Sequence, residues 1–409
     1  MTQKANPPSH FPIHNDELVV GGLGLVELTR QVGTTPYYAY DRRLLDRRVR
    51  ELRQAFPTAI KLHYAIKANP MPEVVAHMVA QLDGLDVASS GELAVALAAG
   101  AAPRDVSFAG PGKSEAELSE AVATGILVNV ESFRELTLLK TVSQAQKRPA
   151  RVAIRVNPDF ELKSSGMKMS GGPKQFGIDA EQVPEALAEV GRMGLAFEGF
   201  HIFSGSQNLQ VASICEAHTK AFELALSLGQ HAPSRPRVLN LGGGLGIPYF
   251  PGEKSLDLAP IADNLAQIAK RAATALPEAE LIIELGRYLV GEAGLYVCRV
   301  LDRKVSRGQV FLVTDGGLHH HLAASGNFGQ VLRKNYPVVI GNRVCGDRRE
   351  TASVVGRLCT PLDLLADRVE LAQAREGDLV AIYQSGAYGF TASPHRFLGH
   401  PPPREILCG

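Results

Sequence analysis

From residue 36 to about 290 the chain alternates two textures. Short runs rich in apolar residues fall at 60–66, 85–89, 106–109, 126–130, 151–156, 197–203, 237–241 and 281–285. Between them lie longer Ala-, Leu- and Glu-rich stretches, such as 72–82, 92–99 and 114–123, whose apolar residues recur at three and four. The runs read as strands, and the stretches as helices with one apolar face. Eight such βα units predict an α/β fold, a closed (β/α)8 TIM barrel, whose active site lies on the loops that follow the strands.

After Gly286 the texture changes to β-branched and aromatic runs at 295–305, 310–313, 337–340 and 379–383, separated by Gly, Asn and Pro turns. This predicts a second, mostly β domain at the C-terminal end. The first 35 residues hold strand-like pieces too short to stand alone and are expected to pair with it. The expected division is a barrel over 36–290 and a β-rich domain made of 1–35 with 291–409. The tail at 399–403 reads as a surface extension.

Composition narrows the function classes. Lys+Arg and Asp+Glu balance at 43 against 42, so no global field gathers nucleic acid, and a small-molecule substrate is expected. The five cysteines, Cys215, Cys298, Cys345, Cys359 and Cys408, are scattered and form no C-x-x-C pair. That pattern points to a reducing cytoplasm and away from disulfides or a zinc site. His319, His320 and His321 are consecutive; on an extended chain they would point alternately, so no metal is assigned to them. The N-terminus has no apolar h-region and no run is long enough to span a bilayer, so a soluble, unprocessed protein with no membrane partner is expected.

Candidate chemistry begins with Lys67 in KLHYAIKANP, a charge at the end of an apolar strand. Partial burial lowers an amine's pKa and frees it to condense with an aldehyde; the alternative is a lysine whose head stays in solvent. The turns after the seventh and eighth strands are LGGGLG, with Gly242, Gly243 and Gly244, and ELGR, with Gly286 and Arg287. Glycine lets backbone N–H groups approach phosphate oxygens, and Arg287 adds a charged donor. Together with a strand-end lysine, they suggest a phosphorylated cofactor carrying an aldehyde. Glu284 closes the last apolar strand, either to keep a pyridine nitrogen protonated or to form an interior salt bridge with Arg155 or Arg287. His201 ends the sixth strand in GFHIFSGSQ and can stack on a planar ring or serve as a hydrogen-bonded structural residue; Ser206, in the next turn, can donate to phosphate.

In family order the chain carries YAIKANP, LDVASSGEL, GFHIFSGSQ, NLGGGLG, ELGRYLVGEAG, RLCTPLD and SGAYG. These motifs resemble the fold-type III pyridoxal 5′-phosphate (PLP) decarboxylases, the diaminopimelate, ornithine and arginine decarboxylase family with its alanine-racemase-like barrel. The resemblance implies Lys67 as the Schiff-base lysine, His201 stacked on the cofactor ring and Glu284 at the pyridine nitrogen. It implies phosphate contacts from Ser206, Gly242, Gly243, Gly244, Gly286, Arg287 and Tyr388, with Asp86 and Arg155 beside the cofactor. Cys359 resembles the family's cysteine acid, contributed by the partner subunit, which implies a homodimer with shared active sites. Without its motif, Cys359 would read as a small buried hydrophobe.

Departures from the pattern bear on the substrate. After the cysteine, where relatives carry an acid facing the substrate's far amino group, this chain has Thr360, with Asp363 three residues on. A neutral hydroxyl cannot offset desolvation of a distal ammonium, a loss of about 1–3 kcal/mol. After Asp315, GGLHHHLAASGNFG replaces the Arg-Pro-x-Leu-Tyr run of diaminopimelate decarboxylases. Diaminopimelate and ornithine are therefore not expected as substrates. CTPLD, SGMKMSGGPKQFG and the terminal HPPP are similar to a bacterial branch associated with exosortase systems, including decarboxylases of aminoacyl groups tethered to a carrier protein. The expected reaction is removal of an α-carboxylate from an amino acid or tethered aminoacyl group; the alternatives are a racemase and a non-catalytic PLP-binding regulatory homologue. Residues 41–54 carry six arginines interleaved with acids and read as a solvated helix face more readily than as a carrier-docking surface. The Gly/Lys/Ser-rich segment 162–177 reads as a mobile lid or an exposed loop.

Overall fold

A computed structural model describes residues 3–4, 10–160, 167–168, 171–250, 252–330 and 333–409. The chain divides into two compact units, one of Val49–Ile247 with Lys254–Tyr288, the other of Met1–Arg48, Pro248–Glu253 and Leu289–Gly409.

The first unit is the barrel. Its strands are β1 (Ile60–Ala65), β2 (Gly84–Val87), β3 (Val106–Phe108), β4 (Leu127–Val130), β5 (Arg151–Asn157), β6 (Ala196–His201), β7 (Val238–Gly243) and β8 (Glu280–Leu285). All neighbours are parallel, and β4 pairs with β5 to close the cylinder. Each strand falls where the apolar runs predict it, within two residues. A parallel sheet wrapped by helices buries both faces of its strands, which is why those runs are nearly continuous.

Among the described residues, seven helices alternate with the strands: α1 (Pro72–Val79), α2 (Ser90–Ala98), α3 (Glu115–Thr124), α4 (Phe133–Gln146), α5 (Val183–Met193), α6 (Val211–Gly229) and α7 (Ala259–Ala275). Their starts are written locally. Ser89, Ser114 and Ser132 each accept the backbone N–H three residues on, and Ser114 with Glu117 forms a full capping box. These caps fix where each turn after a strand gives way to helix, and so fix the turns that carry the chemistry.

The second unit is mostly β. Its main sheet joins Tyr37–Asp41, Gly294–Ser306, Gln309–Thr314, Val338–Ile340, Arg349–Val355, Leu364–Ala372, Leu379–Ile382 and Arg404–Cys408. The apolar pattern places residues 36–48 in the barrel. Pairing corrects that: Tyr37–Asp41 lies between Gly294–Ser306 and Arg404–Cys408 and belongs to this sheet. Residues 13–24 form a separate three-stranded sheet whose Leu18 and Val20 enter the unit's core with Tyr37, Leu295 and Val297. Arg349–Val355 and Leu364–Ala372 escape sequence detection because charged residues interrupt them (Arg349 and Glu350; Asp367, Arg368 and Glu370), leaving no clean alternation.

Candidate active site

The end of β1 runs into a short 3-10 turn, Ile66–Ala68, which carries Lys67. Its Nζ lies 3.3 Å from Glu284 Oε1 at the end of β8, and His201 Nε2 at the end of β6 lies 3.1 Å from Glu284 Oε2. Lys67 keeps 42% of its side chain exposed, while Glu284 keeps 3%. Burial pushes the Glu284 carboxyl up; Lys67, then the hydrogen bond and charge of His201, then Arg155, outweigh it and hold the group well below the usual carboxylate range. Glu284 is thus an anion wedged between a lysine and a histidine.

These three residues line a cavity of about 460 Å³ with Phe108, Phe176 and Phe203. The lysine Nζ sits 5.9 Å from the Phe203 ring centre. His201 Nδ1 is buried with no hydrogen-bond partner among the described residues. The cavity therefore offers an amine, an anion beside it, and flat walls.

The glycine turns occupy adjoining strand ends. Asn208 N–H donates to Gly244 O (2.9 Å) and Gly246 N–H to Asn208 O (2.9 Å), locking the turn that carries Ser206 to the turn after β7. A Cβ at Gly243 would come within 2.0 Å of Glu284 O, and one at Gly244 within 2.4 Å of Gly205 O. Gly242 and Gly244 have φ of 73° and 76°, which glycine adopts freely. At Gly286 a Cβ would meet Ala68 Cβ at 3.0 Å, so the turn bearing Arg287 abuts the turn bearing Lys67. Ser206, Gly242, Gly243, Gly244, Gly286 and Arg287 thus fall on three successive strand ends.

Beside this group lies a buried ionic network that the sequence reading does not pick out. Glu131, one residue past β4, accepts from Arg155 Nη1 (2.7 Å) and Gly110 N–H (2.5 Å) through Oε1, and from Gly177 N–H (3.1 Å) through Oε2. Lys113 is 3% exposed and donates to Gly110 O (2.7 Å), Asn129 O (2.8 Å) and Glu135 Oε2 (3.2 Å). Burial pulls the Lys113 pKa down against Glu135 and Glu131; burial pushes Glu131 up, but Arg155 and Lys113 hold it below its ordinary value. Glu131 repeats the signal that exposes Glu284, an acid closing an apolar strand.

Asp86 does not line the cavity at Lys67. It is buried on β2, accepts from Ser107 Oγ (2.5 Å), lies 3.5 Å from His63 Nδ1, and lines a separate cavity of about 500 Å³ with Lys61, Arg104, Arg151 and Glu280. Those four are at the opposite, N-terminal ends of the strands.

Cys359, Thr360, Asp363 and Tyr388 belong to the β-rich unit. Cys359 is exposed, so it is not a buried hydrophobe. Thr360 Oγ1 accepts from Leu362 N–H (3.3 Å). Asp363 is buried, and its two carboxylate oxygens accept from Leu318 N–H (2.7 Å) and Leu358 N–H (2.9 Å). That makes it a brace of the cysteine loop. Tyr388 is half-buried with φ 54°. His319 and His320 lie in a turn with ring centres 3.6 Å apart, not on the extended chain that sequence reasoning assumes, and among the described residues no cluster of metal-ligating side chains forms. Of the expected lid at 162–177, residues 162–166 and 169–170 lie outside the described residues.

The amine, buried anion, planar walls and glycine turns fit PLP: Lys67 for its aldehyde, Glu284 for its ring nitrogen, His201 for its face, and the turns after β6, β7 and β8 for its phosphate. Residues 42–291 match the family described as pyridoxal-dependent decarboxylase, pyridoxal binding domain. The chain is 40% identical to an L-glutamyl-(BtrI acyl-carrier protein) decarboxylase of Niallia circulans, over 91% of this chain and 88% of that one. It is 32% identical to a diaminopimelate decarboxylase of Aquifex aeolicus, over 100% and 94%. The crystal structure of diaminopimelate decarboxylase from Helicobacter pylori complexed with L-lysine superposes with a TM-score of 0.81 at 28% identity, covering 94% of each chain. The expected PLP cofactor and α/β barrel are both met in these relatives, and nothing among them favours a racemase. The chain belongs to the pyridoxal-dependent decarboxylases and is a PLP-dependent carboxy-lyase.

Proposed function

We propose that this decarboxylase removes the α-carboxylate of an aminoacyl group tethered to a carrier protein, with Lys67 as the residue that binds the cofactor. The observation that carries the site assignment is the Lys67–Glu284–His201 cluster, one anion held between two nitrogen groups in an aromatic-walled cavity. When bound, PLP supplies an electron sink for the charge left as the Cα–carboxylate bond breaks. Glu284, kept anionic, would favour the protonated form of the cofactor's ring nitrogen. His201 would pack against its ring, and Ser206, the glycine turns and Arg287 would hold its phosphate. Loss of carbon dioxide leaves Cα to gain one proton, which we assign to the Cys359 thiol of a second copy of the chain.

The tethered substrate is supported by the 40% identity to a relative named for a carrier-bound glutamyl group and by Thr360, which offers no charge to a distal ammonium. Asp363 acts as the brace that shapes this loop. A homodimer with shared sites is supported by the exposure of Cys359 and of Leu362, 59% exposed, three residues away. A cytoplasmic setting is supported by five free cysteines.

The test is to incubate PLP-loaded protein with a glutamyl-loaded carrier protein and, separately, with free glutamate, diaminopimelate and ornithine. Carbon dioxide and a carrier lighter by its mass are expected from the first alone. Turnover of a free amino acid with none of the tethered group would overturn the substrate assignment.

A further inference from the structure

We infer that Glu131 is a positioning residue of the active site: it fixes Arg155 against the cavity wall and withholds that guanidinium from Glu284. The inference rests on the site proposed above.

One carboxylate here ties a strand side chain to two turns. Through Oε1 it takes the Arg155 guanidinium at 2.7 Å and the Gly110 N–H of the turn after β3; through Oε2 it takes the Gly177 N–H at the end of the loop after β5. The turn after β3 is held a second time, by Lys113 on Gly110 O, and Lys113 is itself held by Glu135. Arg155 lies 5.0 Å from the ring centre of Phe176, and Arg155, Phe176, Gly110 and Lys113 all line the cavity of Lys67 and Glu284. Glu131 therefore organises a wall of the site without lining it.

The physical reason is competition for a buried cation. Arg155 is buried, and a buried guanidinium needs a carboxylate. Two acids close strands near it, Glu131 and Glu284. With Glu131 occupied by Arg155, Glu284 is left to Lys67 and His201. Without Glu131, an uncompensated positive charge stays at the cavity wall and turns to Glu284, lowering the proton affinity of groups on the bound cofactor. A residue that only stabilised the barrel would leave that affinity unchanged.

The test uses full-length PLP-loaded enzyme without substrate and reads the pH midpoint at which the cofactor's visible absorbance titrates. In Glu131→Gln the midpoint is expected to fall by about one pH unit or more, as for a guanidinium left uncompensated within a few ångströms of the titrating group. In Glu131→Asp, which keeps the charge, it is expected to return toward the parent value. In an Arg155→Met background the further change E131Q is expected to move the midpoint no more, because the residue acts through Arg155. Should E131Q alone not fold, the double variant removes both buried charges, and any shift of its midpoint from that of R155M overturns the inference. An unchanged midpoint in folded E131Q, or equal additional shifts in both backgrounds, would overturn the inference. Pyridoxyl mapping on the same samples separates this failure from failure of the site: an adduct on Lys67 with an unmoved midpoint rejects only the role of Glu131.

Discussion

Glu284 illustrates how the site was written into single residues. A carboxylate at 3% exposure is costly unless cations or hydrogen-bond donors meet it, and Lys67 and His201 meet it from two sides. Glu284→Gln keeps the shape and removes the charge; turnover is expected to fall about 100-fold or more while PLP still loads, measured as carbon dioxide release against cofactor absorbance. Wild-type turnover in this variant would remove Glu284 from the chemistry. Lys67, His201 and Glu284 were legible because a charged or polar residue at the end of an apolar strand has no packing reason to be there. Glu131 sends the same signal after β4 and needed the fold to show what it holds. Lys113 was not legible, because its burial arises only when the Gly110–Pro111–Gly112 turn folds over it. Asp363 misleads in the sequence for a similar reason: next to a cysteine motif it reads as a substrate contact, yet its oxygens serve two backbone N–H groups.

At the scale of elements, the turn after β7 and the helix α6 carry opposite lessons. Gly243 lies where a Cβ would approach Glu284 O to 2.0 Å, so the glycine is required by the approach of β7 to β8 as well as by any phosphate. Gly243→Ala is expected to lower both the thermal midpoint and PLP affinity, the first by differential scanning calorimetry and the second by absorbance titration; an unperturbed midpoint would show that the strands part freely. His218 on α6 is buried, and burial holds its pKa down to about 4 from 6.5. A histidine kept neutral by the fold contributes stability above its unfolded pKa and loses it as pH falls from about 6.5 toward 4, because the unfolded chain gains the proton first. The thermal midpoint should fall between pH 7 and pH 5, and His218→Leu should make that fall shallower; an identical slope would contradict the assignment. Barrel strands and helices were legible because both faces of each strand are buried and the serine caps are local. The β-rich sheet was half legible, because Tyr37–Asp41 is separated by more than 250 residues from its partner strands and no local pattern announces such pairing.

For the whole molecule, the cysteine loop sets the prediction. The described residues expose Phe328, Leu362, Phe397 and Leu398 on the β-rich unit, and Asn327 Nδ2 donates to Leu362 O (3.4 Å), tying two of these loops together. If that surface meets a second copy, the protein should sediment at about twice its 43.9 kDa mass. Leu362→Arg should then yield a monomer that loads PLP but releases little carbon dioxide, since Cys359 no longer reaches a partner's cavity. A fully active monomer would remove the shared site. The most direct test of the account is borohydride reduction of the PLP-loaded enzyme followed by peptide mass mapping. The pyridoxyl group is predicted on Lys67 alone; an adduct on another lysine, or none on saturated protein, would contradict it.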